Sequence, residues 1–180
     1  MTVVDENMMI DAVDDDDMPV NTVTRSSVFM AHANFRVVHI LVFNSNGELL
    51  VQRLALNRKR HAGYWGSSVA GYVFADESYE AAAVRRTSQE LGIGNAVLLP
   101  VGKTTTDDEG CKKFIEVYTT IQNGPFQYDH EHIDRLEFQS LAKIHDLNNI
   151  GEPRQGDRFH RLPPRENVSS MRIASSGLRR

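Results

Sequence analysis

Two hydrophobic rhythms run along this chain. Residues 37–43 (VVHILVF) form a continuous apolar, β-branched run of strand length. The turn-forming Asn44-Ser45-Asn46-Gly47 follows, and apolar residues resume over 48–53 (ELLVQR), so the two runs predict a β-hairpin. Residues 65–70 read as another short strand. Further strands are expected at about 95–101, 113–121 and 135–140, with Asn123-Gly124-Pro125 turning the chain after the second of these. The strong helical signal lies at 77–91 (ESYEAAAVRRTSQEL), where Tyr79, Ala82, Ala83 and Leu91 make a narrow packing face. Asp76 is the expected cap, Glu77 and Glu80 suit the positive end of the helix dipole, and Gly92 can end the helix in the left-handed region. A short helix is expected at 141–147. Strands, a central helix and strands again predict an α+β protein with a mixed sheet.

Length and charge refine this picture. At 180 residues the chain suits one globular domain with tails. No run is long and apolar enough for a membrane span, and the acidic start is unlike a signal peptide, so a cytoplasmic protein without a membrane partner is expected. The lone cysteine, Cys111, excludes an internal disulfide framework. Residues 1–20 hold seven acids and no Lys or Arg, whereas residues 152–180 hold seven Arg against three acids. The expected division is an acidic N-terminal arm over 1–20, a globular domain over 21–150 and a basic tail over 151–180. The arm contains an approximate echo (VVDENMMI, AVDDDDMPV) that allows a short hairpin. Both ends are expected to be solvated, and their opposite charges could pair two protomers in a homodimer. The tail has only Phe159 as an aromatic, so nucleic-acid binding is not expected.

Gly71, Glu77, Arg85, Glu90 and Gly92 have a chemically suggestive spacing. Gly71 can make the tight turn into the loop before the helix. Positions 86, 89 and 90 share one helical face, where three carboxylates would hold Mg²⁺ against a diphosphate. The segment GYVFADESYEAAAVRRTSQELGI, from Gly71 to Ile93, resembles the Nudix box, G-x5-E-x7-R-E-U-x-E-E-x-G-U. The resemblance covers roughly residues 20–145 and implies a Nudix-type α/β/α sandwich with a mixed sheet. Gly71, Arg85 and Gly92 would be its structural residues, and Glu77 would mainly brace the loop. Two of the three box glutamates are replaced, by Arg86 and Gln89, so the face sums to zero charge and Arg86 can pair with Glu90 at i,i+4.

The box is similar to that of type I isopentenyl-diphosphate isomerases, which also read Arg-Arg and then Glu-Leu-Gly. The likeness extends upstream through FNSNGELLVQR and WGSSVAG. In those enzymes a cysteine precedes the box glycine and a metal-binding histidine follows it; here Ala70 and Tyr72 stand at those positions. Isomerase activity is therefore not expected. The remaining feature is a basic loop over 54–64, in which Arg58, together with Arg53, could contact phosphate oxygens as arginine commonly does. Residues 54–64 and 102–112 are expected to be the loops that select the substrate. Asp129-His130-Glu131-His132 is the other dense polar group, either an exposed loop or the source of an extra catalytic glutamate, Glu131. Trp65 and His39 read as structural, and Cys111 has no visible histidine to activate it.

Two functions follow. As the resemblance implies, the chain would be a hydrolase cleaving a diphosphate linkage in a nucleoside diphosphate or related small molecule. Glu90, aided by Glu77 or Glu131, would then hold Mg²⁺ or Mn²⁺, while Arg53, Arg58 and Arg86 hold phosphate. Alternatively, it would be a catalytically inactive diphosphate-binding module in which Arg86 supplies the ion's charge without activating water.

Overall fold

The computed structural model describes residues 7–58 and 61–144; the basic tail and the end of the helix expected at 141–147 lie outside them. The strands are β1 (Met9–Val13), β2 (Pro19–Thr24), β3 (Phe35–Phe43), β4 (Leu49–Leu54), β5 (Trp65–Gly66), β6 (Val69–Tyr72), β7 (Leu99–Asp108), β8 (Cys111–Ile121) and β9 (Ile133–Gln139), and the helix α1 is Tyr79–Leu91. β3 runs parallel to β8 from Phe35↔Lys113 to Phe43↔Ile121. The other pairings are antiparallel, so the sheet of seven strands is mixed and the fold is α+β.

The predicted hairpin is present, with a difference that shapes the molecule. Asn44 and Gly47 close the turn, but β3 and β4 pair only at Phe43↔Leu49 and then diverge. The gap is filled by residues 65–72, where the sequence predicts a single strand over 65–70. β5 pairs with Gln52 and Arg53 of β4, and after Ser67-Ser68 the chain crosses to pair β6 with Val37–Ile40 of β3. Ser68, wholly buried, spans the split: its Oγ accepts from Val42 N–H at 2.9 Å and donates to the Leu50 carbonyl at 2.5 Å.

Alternation along β3 sends residues to two cores. Val38, Ile40 and Val42, with Leu50, Val69 and Tyr118, pack against Ala82, Ala83 and Leu91 of α1. Val37, Leu41, Leu49, Val51, Ile115 and Val117 face the other side, where Ile10, Val28 and Ile144 cover them. Residues 141–144 are helical.

Three expectations are corrected. The cap of α1 is Ser78, whose side chain accepts from Ala81 N–H, while Asp76 sits in the left-handed region at φ 62°. Gly92 ends the helix as expected, at φ 70°, its N–H donating to Ser88 O. Second, residues 102–112 are not a loop: Gly102–Asp108 belongs to β7, and Glu109-Gly110, both at positive φ, turn it into β8. Third, the acidic stretch is not simply a solvated arm. Met9–Val13 and Pro19–Thr24 form a hairpin that buries Ile10, and Asp17 is neutralised by Arg36 and Lys103 at 2.7 and 2.6 Å.

Candidate functional site

The loop from β6 to α1 is braced by one pair of residues. Arg85 Nε and Nη2 each donate to the Glu77 carboxylate at 2.7 Å, and Nη2 also donates to Tyr72 O at 3.0 Å. The Phe74 N–H donates to Glu77 Oε2 at 2.9 Å, and the Arg85 guanidinium lies 3.7 Å from the Phe74 ring centroid. Burial would raise the Glu77 carboxyl; the bonds from Arg85 and Phe74 outweigh it and hold Glu77 below its usual range. Glu77 is thus committed to bracing.

Arg86, one position on, crosses the helix face that carries Glu90. Its Nη2 donates to Glu90 Oε1 and to the Ala70 carbonyl, the latter at 3.1 Å, and its Nη1 donates to Gln89 Oε1 at 3.3 Å. The side chain lies on Gly71: a Cβ there would sit 2.1 Å from Arg86 Nε and 2.6 Å from Cδ. Gly71 is therefore required by the arginine's path, and the pressed Nε is buried without an acceptor. The second oxygen of Glu90 accepts from Gln52 Nε2 at 3.4 Å.

The surrounding field is positive. Burial first, then the charges of Arg85, Arg25 and Arg58, lower the Arg86 guanidinium to about 10. Burial and Arg25 likewise lower Arg58. Arg25, directly after β2, lies 4.9 Å from the centroid of the Tyr72 ring. The charges of Arg25 and Arg58 therefore both bear on Arg86, which lies against β6. Sequence reasoning named Arg58 and Arg86 but missed Arg25, a single basic residue after an acidic stretch with no motif around it. Arg53 is placed on β4, with Nε 3.5 Å from Gly63 O and Nη1 3.6 Å from Asp134, and braces the start of the 55–64 loop.

Glu131 is exposed in the loop before β9. Asp129 accepts from Glu131 N–H and pairs with His132 Nδ1, both at 2.9 Å. These bonds hold the Asp129 carboxyl below its ordinary range. Ligand atoms of Asp129, Glu131 and His132 lie within 4.8 Å of one another, the one such group among the described residues. Ala55 N–H donates to His132 O at 3.0 Å, which sets this loop beside the 55–64 loop.

A divalent ion does not fit the donor set of the box helix. Mg²⁺ asks for about six oxygens, and positions 86, 89 and 90 offer one carboxylate, already bonded to Arg86 and Gln52. The remaining candidates have structural surroundings. Trp65 is half-buried against the core, and His39 Nδ1 lies 3.2 Å from Ser67 Oγ. Cys111 is fully buried, and burial with Asp108, Asp107 and Glu109 raises its thiol, which suppresses the reactive thiolate.

A family model, the NUDIX domain, matches residues 33–162. An uncharacterised Nudix hydrolase of Pseudomonas aeruginosa is 34% identical over 126 residues, covering 70% of this chain and 75% of that protein. An isopentenyl-diphosphate Δ-isomerase of Streptomyces avermitilis is 25% identical over 146 residues, 77% of this chain and 74% of the isomerase. The crystal structure of DR0079 from Deinococcus radiodurans matches 83% of this chain and 93% of its own with a TM-score of 0.71 at 23% identity, a likeness of fold.

Proposed function

This chain belongs to the Nudix family, and from that premise we propose that it recognises a small-molecule diphosphate, a nucleoside diphosphate or related compound, through its arginines. The observation that carries the reading is Arg86 laid against Ala70 and Gly71 of β6, with Arg25 4.9 Å from the neighbouring Tyr72 ring and the charges of Arg25 and Arg58 both bearing on Arg86. Like charges held together cost free energy that a bound polyanion would recover. Arg58 and Arg86 would hold phosphate oxygens, and Arg53 would keep the 55–64 loop in position. Isomerase chemistry is not part of the reading, because Ala70 and Tyr72 offer neither a thiol nor a metal ligand beside Gly71.

The family's hydrolytic chemistry is the second reading, favoured by the Pseudomonas relative and by the grouping of Asp129, Glu131 and His132. It requires Glu90 to leave Arg86 and Gln52. The geometry supports recognition better, since both Glu90 oxygens and Glu77 are already engaged.

The test is phosphate release from nucleoside diphosphates, nucleotide sugars and prenyl diphosphates with Mg²⁺ or Mn²⁺, beside thermal shift by the same compounds in chelator. Stabilisation without turnover is expected. Metal-dependent turnover that Glu90→Gln abolishes would establish the hydrolase instead.

A further inference from the structure

Members of this family generally use a divalent metal such as Mg²⁺ or Mn²⁺. We infer that in this chain Arg86 occupies the place of that ion, so that the site excludes a metal at the box helix and takes its diphosphate without one. The inference rests on the diphosphate reading above.

Three observations converge on it. The first is stoichiometric: one carboxylate remains on the face, and Arg86 neutralises it. The second is steric. Arg86 is threaded over Gly71, and Ala70 O, Gln89 and Glu90 all hold its guanidinium, with side-chain exposures of 17% for Arg86 and 14% for Glu90. An ion seated at Glu90 would have to displace a guanidinium held by three partners. The third is the neighbouring charge. Arg85 is offset by its pairing with Glu77, but Arg25 and Arg58 add positive charge that bears on this position, disfavouring a second cation and attracting an anion.

Paired with Glu90, the Arg86 guanidinium adds no net charge, but the N–H of Nη1 not used by Gln89 can donate to a phosphate oxygen, and a guanidinium has no exchangeable water to ionise. The substitution therefore separates two tasks that a metal performs together. Binding is retained, and generation of a hydroxide nucleophile on the helix is lost.

The experiment uses the full chain, with Mn²⁺ alone and ADP alone as probes in titration calorimetry. The wild type is expected to show no Mn²⁺ binding that Glu90→Gln removes, and to bind ADP equally in chelator and in Mg²⁺. Arg86→Glu combined with Gln89→Glu is expected to gain a Mn²⁺ site and to make ADP binding metal-dependent. Arg86→Gln, a milder change, is expected to weaken ADP binding about tenfold or more in chelator. A Glu90-dependent Mn²⁺ site in the wild type, or an ADP affinity that falls tenfold in chelator, overturns the inference. Absence of ADP and all other diphosphate binding in both buffers, with Mn²⁺ still excluded, overturns the diphosphate reading and with it the ligand role of Arg86.

Discussion

Asp17, in the turn of the N-terminal hairpin, accepts from Arg36 Nε on the central strand β3 at 2.7 Å. Lys103 Nζ donates to the same carboxylate at 2.6 Å and the Tyr79 hydroxyl donates to it at 3.0 Å, so one acid ties the hairpin to β3, β7 and the start of α1. Asp17→Asn should destabilise the protein by about 2–3 kcal/mol in urea unfolding, somewhat less than a fully buried pair because Lys103 is 43% exposed. Burial would raise the Asp17 carboxyl, but its bonds to Arg36, Lys103 and Tyr79 bring it below 3.8. A depressed carboxyl stabilises the fold above its unfolded pKa and loses that contribution as pH falls through the folded value. The gap between wild type and Asp17→Asn should thus be constant from neutral pH to about pH 4 and close below it. A gap that widens on acidification would refute the assignment.

Glu77 and Arg85 make a second acid-sensitive clasp, confined to the loop before α1. Glu77→Gln should cost about 1–3 kcal/mol, since it leaves the Arg85 guanidinium with weakened partners beside Phe74. Glu77 is held below 4.5, so by the same sign its contribution is full at neutral pH and fades under acid. Urea titrations of the variant at neutral and acidic pH would check both points. Equal stability of wild type and variant at neutral pH would show that the clasp contributes nothing.

Ser68 is expected to be more sensitive than its neighbour Ser67. The Ser68 hydroxyl is the link between Val42 N–H and Leu50 C=O at the place where β3 and β4 part. Ser68→Ala should cost about 2–3 kcal/mol by stranding a buried donor and acceptor. Ser67→Ala removes only the contacts to His39 and the Val69 carbonyl and should cost about 1 kcal/mol. Denaturant midpoints of the two variants decide it, and the reverse order would mean that the split is held by something other than Ser68.

The sequence makes the helix legible because its signals are local: the Gly71–Ile93 spacing, the alanine face and Gly92 all lie within one segment. Even there, Ser78 took the cap from Asp76 because Ser78 offers its oxygen to Ala81 N–H, while Asp76 N–H approaches Asp11 at 3.4 Å. β7 was shifted because Lys103–Asp108 carries threonines and charges in place of an apolar run, and its strand character depends on the β8 ladder. The positive cluster was half legible. Arg58 and Arg86 belong to recognisable segments, but Arg25 is brought to Tyr72 by the docking of a hairpin that sequence read as solvated.

Gly71 and Arg86 provide the sharpest test of the site's construction. The Gly71 backbone does not have positive φ, so alanine there meets no conformational penalty; it meets Arg86, at 2.1 Å from Nε, 2.6 Å from Cδ and 2.8 Å from Cγ. Gly71→Ala should therefore drive the guanidinium off Ala70 O and Glu90, at a cost of about 1–3 kcal/mol. With Arg86→Ala already in place the obstruction is gone, and the same change should be neutral or stabilising by up to about 1 kcal/mol. A double-mutant cycle in denaturant should then give a coupling of about 1–3 kcal/mol between the two positions. ADP affinity should follow the same logic, since Gly71→Ala displaces the donor that Arg86→Ala deletes. If Gly71→Ala is equally costly with and without Arg86, the glycine is required by something other than the arginine, and the path assigned to Arg86 is wrong.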